Sequence, residues 1–460
     1  MKREHLWVHH EQDATICWKL AEGGYAERMS VRQGELVTLC ISNSRSYYDV
    51  FVFHEGAGRK LVKTIERLRG ELQPVPKLGY QDGFSWKPVV SFTVPRDWKS
   101  GVYIASFATA QGVREILFVV RPAEPQAPLL LTLAANTYAA YNNVGGKSFY
   151  DYISTDRQHA KLVSFQRPLQ PNMLGNFYIW DQFVTSWLEG EGYEVDYCVN
   201  ADHDAEPCLL EAYSANMRIG HDEYNSVNEC NQLQEFTRRG GNLLLFAGNA
   251  FCTLVEVRSG GNQLFCAKPH YHDPPTPEKP ETSFLEFIDN QRQRTIGISY
   301  TSFVHAKTDR PGVFIAPSTS EFGFYRVVAP DHWAFEGTNL QLGDEFGRED
   351  SIVGVECDAA ELEFVDGQPR YTGRDGVSPE YKVIALADSA VSGLIKSSGR
   401  KVRDDIVGEA NAYATISVNE TEFKGTIFNA ATIEWGHGLY HDDSPVAIIT
   451  RNVLNRLGKG

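Results

Sequence analysis

The sequence predicts an α/β chain in two parts, a small all-β module followed by a larger domain built on a parallel sheet. Three observations carry that expectation. Residues 1–122 hold several short runs in which apolar and polar side chains alternate. A segment with three prolines in eight residues, Arg121 to Pro128, then interrupts the pattern. From Leu129 onward, short continuous apolar runs alternate with segments of helical spacing. Alternation at period two marks a half-buried strand, whereas a continuous short run marks a strand covered on both faces.

In the first part, Val37, Leu39 and Ile41 alternate with Thr38 and Cys40, and Val90, Phe92 and Val94 alternate with Ser91 and Thr93. Val50–Phe53, Val102–Phe107 and Ile116–Val120 are further runs rich in β-branched and aromatic residues. Turn-formers such as Pro95 and Lys99-Ser100-Gly101 separate them. Short strands at this spacing predict an immunoglobulin-like sandwich over 1–122, suited to packing or assembly because no cluster of catalytic residue types falls in it. The proline-rich segment is the expected linker, and 129–460 the expected catalytic domain.

There, Leu129–Leu133 reads as a doubly covered strand and Phe177–Leu188 as a helix stopping at Gly190. Strands follow at Tyr193–Val199, Met217–Ile219 and Asn242–Phe246, with a helix at Val227–Arg239 closed by Gly240-Gly241. Strands alternating with helices imply crossover connections in a parallel sheet. Residues 300–430 look strand-rich, and the chain closes on a helix with Ser444 as N-cap, Pro445 at its first position and Val446, Ile449, Val453 and Leu457 on one face.

The totals exclude several classes. A chain of 460 residues, 42% apolar and 22% charged, is an ordinary globular composition and long enough for two domains. Its net charge of −15 has the wrong sign for nucleic-acid binding. No apolar run approaches the length of a membrane-spanning helix, and MKREHLWVHHEQD lacks the apolar core of a signal peptide, so a cytoplasmic protein with no membrane partner is expected. Eight scattered cysteines with no C-x-x-C pair read as reduced thiols.

Familiar motifs fail. Gly145-Gly146-Lys147-Ser148 looks like the end of a phosphate loop, but Tyr141 stands where its first glycine belongs, so no nucleotide site is expected. His270 and His272 are spaced to grip a metal from a strand, yet their proline-rich setting favours an exposed loop. Cys252 is expected to be a core thiol, because neither a base nor a sharp strand-to-helix turn is visible around it.

In open α/β sheets, ligands bind beyond the carboxyl ends of the strands. One predicted strand runs into Gly220-His221-Asp222-Glu223-Tyr224, and residues two apart on extended backbone face the same way, so His221 and Glu223 are expected to share a site. The next strand ends in Ala247-Gly248-Asn249-Ala250, which brings an amide to the same edge. The first strand leads into Asn136-Thr-Tyr-Ala-Ala-Tyr-Asn142 and then Gly145 to Tyr150. A polar rim of satisfied hydrogen bonds is the competing reading.

These runs, with His332-Trp-Ala-Phe-Glu-Gly-Thr338, Ile352-Val-Gly-Val-Glu-Cys-Asp358 and Phe428-Asn-Ala-Ala-Thr-Ile-Glu-Trp435, come in an order and spacing that resemble the large catalytic subunit of N,N-dimethylformamidase and its relatives. The likeness spans essentially all of 129–460, and the Trp98 to Tyr103 segment before it is similar too. The resemblance implies a glutamine-amidotransferase-like, flavodoxin-like domain without the amidotransferase cysteine, and a mononuclear iron site, Fe(III), with zinc as second choice. By motif, Glu223 would be the carboxylate ligand and Tyr141 and Tyr150 the phenolates, with Tyr138 a rival for Tyr141. His221, Asn249 and Glu356 match other active-site positions, and Lys268 matches more loosely. Phenolate and carboxylate are hard oxygen donors suited to a highly charged ion. The implied activity is hydrolysis of the C–N bond of a small amide, with Glu356 as general base or proton shuttle. His221 and Asn249 would orient the substrate and donate to the oxyanion. A small β module beside a catalytic domain leads to the expectation of a homo-oligomer, and the resemblance leaves room for a small subunit. The chain departs from the family in carrying Asp222 where a proline is usual, which is expected to add a negative charge beside the implied metal site, and it reads as a relative without the extra lectin-like domain. Two readings compete, a non-catalytic relative and a metal-dependent hydrolase of another carbonyl compound.

Overall fold

The structure, a computed structural model, describes residues 20–268, 277, 291–304, 324–353, 357–374, 376–388 and 412–459. It is a mixed α/β protein, rich in sheet with a minority of helix. The chain divides into two compact units, one of 9–209 with 255–268, the other of 1–8, 210–254 and 269–460. The proline-rich segment 121–128 lies inside the first.

In the unit containing 9–209, Gly23–Ala26, Leu36–Ser42 and Pro88–Thr93 form a three-stranded antiparallel sheet. Ser30–Arg32, Gly112–Arg121, Gly101–Thr109, Tyr47–Glu55 and Arg59–Arg69 form a five-stranded one in that order. One hydrophobic core joins them, with Val37, Leu39 and Ile41 from the first meeting Val50, Val52, Phe107 and Phe118 from the second. The period-two pattern is clearest where a strand buries one face only. Along Tyr47–Glu55, Tyr48, Val50 and Val52 point inward while Phe51 stays exposed. The strand Arg59–Arg69 was not expected. Among the described residues it is the sheet edge and pairs only with Tyr47–Glu55, so its sequence, RKLVKTIERLR, is a charged edge that discourages further strand pairing.

In the same unit Leu129–Leu133 pairs in parallel with Val195–Val199, and all five residues of Leu129–Leu133 are buried, as a doubly covered strand requires. The expected helix up to Gly190 is present but starts earlier, at Pro171, and contains a π turn over Phe177–Asp181. The glycines of the Gly-Gly-Lys-Ser run have a steric explanation. Gly145 has φ +89°, and a Cβ there would lie 2.6 Å from the Tyr80 main-chain nitrogen. A left-handed turn in close contact with backbone, not a phosphate cradle, accounts for glycine here.

In the other unit Ala215–His221, Asn242–Gly248 and Ile427–Asn429 pair in parallel. The first two are linked by the helix Val227–Arg239, which Ser226 caps by accepting from the Glu229 N–H and which Gly240 ends in the left-handed conformation. Antiparallel strands continue outward from Ile427–Asn429 through Ala412–Asn419, Lys382–Asp388 and Tyr325–Val327. The closing helix, Pro445–Leu457, buries Val446, Ile449, Val453 and Leu457 and is capped by Ser444. Among the described residues no helix is long and apolar enough to cross a membrane, and the described cysteines are all free thiols.

Candidate functional site

The expected site residues fall into one cluster in each unit. In the unit with the parallel strands 215–221 and 242–248, the Ala215–His221 strand is buried throughout and delivers His221 at its carboxyl end, paired with Gly248 of the neighbour. Two residues on, Glu223 faces the same way, with its Oε2 3.5 Å from His221 Nε2. Asn249 follows the neighbouring strand and places its Nδ2 3.2 Å from the same His221 nitrogen. His221, Glu223 and Asn249 are each more than nine-tenths buried. An imidazole with its proton on Nδ1 accepts from that amide at Nε2, and one with its proton on Nε2 donates towards Glu223. Glu223 is held from below: its Oε1 is 3.3 Å from the Thr253 hydroxyl, and its carbonyl accepts from the Thr253 N–H at 2.9 Å.

Asn249 stands at a sharp turn that the sequence did not disclose. Its φ is +55°, and that of Phe251 is +58°. Asparagine tolerates the left-handed region better than most residues, so this strand end turns on an amide and aims it at His221. Cys252 lies just beyond, fully buried, with its thiol 3.3 Å from the Thr253 hydroxyl, the setting of a core thiol. Two further groups hold the turn: the Asp358 carboxylate accepts from the Ala250 N–H at 3.1 Å, and Phe251 N–H donates to the Asp222 carbonyl at 3.0 Å.

Asp222 does not add an open negative charge next to Glu223, as the sequence suggested. Its Oδ2 meets the Arg218 guanidinium at 3.0 Å. Glu229, from the first turn of the following helix, meets the same guanidinium nitrogen at 2.6 Å, and Arg218 Nε donates to Asn216 Oδ1 at 2.8 Å. All three charged side chains are at most 1% exposed. The charge of Asp222 is therefore directed into an internal network that braces the strand end. Arg218, Glu229, Thr253 and Asp358 escaped sequence reasoning. Only Asp358 had a signal, as the last residue of the Ile352–Asp358 run.

In the unit containing 9–209, Tyr141 ends the helix Ala135–Tyr141 and Tyr150 returns to it. The Tyr150 hydroxyl donates to the Tyr141 hydroxyl at 2.7 Å, and the two rings lie 4.3 Å apart, tilted by 31°. The rival, Tyr138, is 2% exposed and donates its hydroxyl to the Asp181 carboxylate. The tyrosine pair therefore joins Tyr141, not Tyr138, to Tyr150. Lys268 belongs to this cluster, its Nζ 4.4 Å from the centre of the Tyr150 ring.

The loop between the tyrosines is fixed from inside by Arg167. Its guanidinium donates to the carbonyls of Ala139 at 3.0 Å, Val144 at 2.8 Å, Lys147 at 3.0 Å and Ser164 at 2.9 Å. Complete burial pulls its pKa down to about 9, still protonated at neutral pH. A cleft of about 360 Å³ in this unit, lined in part by His54, Lys99, Glu189 and Asp196, involves neither tyrosine. There Lys99 pairs with Glu189 at 2.6 Å, and the Asp196 carboxylate accepts from the Gln126 N–H at 2.7 Å.

Glu356, His270 and His272 lie outside the described residues. Among the described residues no group of three or more His, Cys, Asp or Glu side chains is arranged to hold a metal ion.

No protein of curated function is significantly similar to the chain. Among solved structures, the M1 domain from titin is similar over 23% of this chain and 98% of that domain, at 12% identity and a TM-score of 0.14, a likeness too slight to carry an argument. Residues 49–445 match the family described as N,N-dimethylformamidase beta subunit-like, C-terminal. That match spans well over half of the sequence and includes every residue of both clusters, so the chain belongs to the N,N-dimethylformamidase beta subunit-like family.

Proposed function

We propose that the chain is a metal-dependent amidohydrolase that cleaves the C–N bond of a small amide, with Tyr141, Tyr150 and Glu223 as the metal ligands and iron as the metal. The observation that carries the reading is the tyrosine pair, a pair of phenolic oxygens 2.7 Å apart. Two oxygen ligands in adjacent positions, with bonds of about 2.0–2.2 Å, stand about 2.8–3.1 Å apart. The pair therefore already has nearly the spacing that a shared ion requires. A buried carboxylate with a hydroxyl-bonded oxygen, Glu223, supplies a third hard donor.

A bound metal of this kind polarises a carbonyl and lowers the pKa of bound water. The protein's own part follows from side chains in hand. Asn249, fixed by its left-handed turn, offers amide hydrogens to an oxygen that gains charge as the carbonyl becomes tetrahedral. His221, hydrogen-bonded to Asn249 through Nε2, is held in one orientation beside Glu223 and can exchange a proton there. Lys268, over the Tyr150 ring, puts a positive charge where the ionised form of a phenol gains from it. Glu356 is proposed as the base that returns a proton to the leaving amine. The finer architecture belongs to the same proposal: an immunoglobulin-like sandwich over 1–122, supported by an antiparallel and a mixed sheet packed on one core, and an amidotransferase-like domain over 129–460, supported by its parallel strand pairs.

The test is a substrate panel. The purified chain, supplied with iron, is incubated with small formamides, acetamides, ureas and esters, and release of amine or alcohol is measured. Amine release from amides alone is expected. Turnover confined to ureas or esters would move the reading to a hydrolase of another carbonyl class. No turnover of any member would favour a non-catalytic relative.

A further inference from the structure

Arg292 lies on the short helix Gln291–Ile296 and is 4% exposed. Its Nη1 is 3.5 Å from the Ala250 carbonyl oxygen, one residue beyond Asn249. Among the described residues its Nε and Nη2 have no hydrogen-bond partner, and no carboxylate of those residues pairs with it. This is unusual for so buried a cation. A guanidinium withdrawn from water is ordinarily matched by an anion, because desolvating it without one is costly. The contrast within the same unit is direct: Arg218, equally buried, holds two carboxylates.

The two unmet nitrogens are not an arbitrary pair. Nη1 is turned to the Ala250 carbonyl, which leaves Nε–H and Nη2–H along one edge of the planar group. That edge presents two parallel N–H bonds and matches the two oxygens of a carboxylate. The Ala250 residue it touches is pinned on its other side by Asp358, so the fork is mounted on a backbone segment that is itself held.

We propose that the Nε–Nη2 edge of Arg292 is a binding fork for the carboxylate of a small acid. The proposal rests on the amidohydrolase reading only for the origin of that acid. Hydrolysis breaks the C–N bond, transfers hydroxyl from water to the acyl carbon and a proton to nitrogen, and at neutral pH leaves a carboxylate and an ammonium ion. A carboxylate carried by the substrate itself presents the same chemistry. Either way Arg292 acts beside Asn249 as a residue that sets which acyl groups are retained.

The experiment titrates the full chain calorimetrically with acetate at constant ionic strength. Chelator is present throughout, so that no metal competes for the carboxylate, and acetamide serves as the neutral control. Wild type is expected to bind one acetate per chain and no acetamide. Arg292→Gln is expected to weaken acetate roughly 10- to 100-fold, the range for losing charge-assisted hydrogen bonds to an ion. Arg292→Lys, which keeps the charge but not the fork, is expected to fall between. Circular dichroism checks folding, and if Arg292→Gln does not fold, Arg292→Lys decides. Wild type without a single acetate site, or a folded variant that binds acetate as wild type does, overturns the proposal. The sources separate by kinetics: a selective rise in KM for carboxylate-bearing amides in Arg292→Lys assigns the fork to substrate, and weakened acid inhibition alone assigns it to product. A chain that binds acetate through Arg292 yet hydrolyses no amide keeps the fork and loses the hydrolase, and the converse result does the reverse.

Discussion

Glu223→Gln is expected to reduce amide hydrolysis by about 10³-fold or more, with iron content falling in parallel and the fold unchanged. Metal polarisation contributes several kcal/mol of transition-state stabilisation, and about 4 kcal/mol corresponds to a factor of 10³. Glutamine has the shape of glutamate, and its amide oxygen can still accept from Thr253, whose hydroxyl is 3.3 Å from Glu223 Oε1. What it removes is the negative charge, which both the metal and the neighbouring His221 would meet. Steady-state kcat/KM, metal analysis and thermal unfolding of the same preparation separate these effects. Full activity with normal iron content in the variant would remove Glu223 from the proposed ligand set.

The second large effect is on stability. Arg218→Met is expected to destabilise its unit by about 3–5 kcal/mol, the range for leaving buried ionic partners unmatched. Methionine fills much of the same volume, so lost packing is a minor part of the change. The dominant cost is that Asp222 and Glu229, both paired to one Arg218 nitrogen in an almost solvent-free interior, lose their shared cation. Changing all three charged side chains to apolar or amide groups is expected to cost less than the single substitution, because no unpaired charge is left behind. Denaturant unfolding of the single and triple variants measures the difference. Equal stability of Arg218→Met and wild type would mean that the network is hydrated, not internal.

The sequence was most legible where one physical rule acted alone. Val37, Leu39 and Ile41 declared a strand, and Ser226 with Gly240 declared both ends of a helix, because alternation and capping are local. The strand Arg59–Arg69 was hidden because an exposed edge selects for charge, which removes the alternation that marks a strand. The π turn over Phe177–Asp181 was hidden because its side chains follow helical spacing well enough to look continuous.

The site divides in the same way. His221 and Glu223 were placed together by the two-residue period of extended chain, and their 3.5 Å approach agrees with it. Spacing could not bring Tyr141 to Tyr150, since eight intervening residues turn back through a loop fixed by Arg167, and only the family resemblance singled them out. Asp222 was misjudged for an equivalent reason. Its partner Arg218 lies four residues earlier on a strand, where no helical rule pairs them, and Glu229 reaches the same guanidinium from the next helix.

The central claim, a metal held by the tyrosine pair and Glu223, is tested most directly by the metal content and visible spectrum of the purified chain. The account predicts close to one iron per chain and a coloured phenolate-to-iron charge-transfer band that is lost or shifted in Tyr141→Phe and in Tyr150→Phe but kept in Tyr138→Phe. Colourless protein that takes up no added iron, or a band indifferent to both Tyr141 and Tyr150, would contradict it.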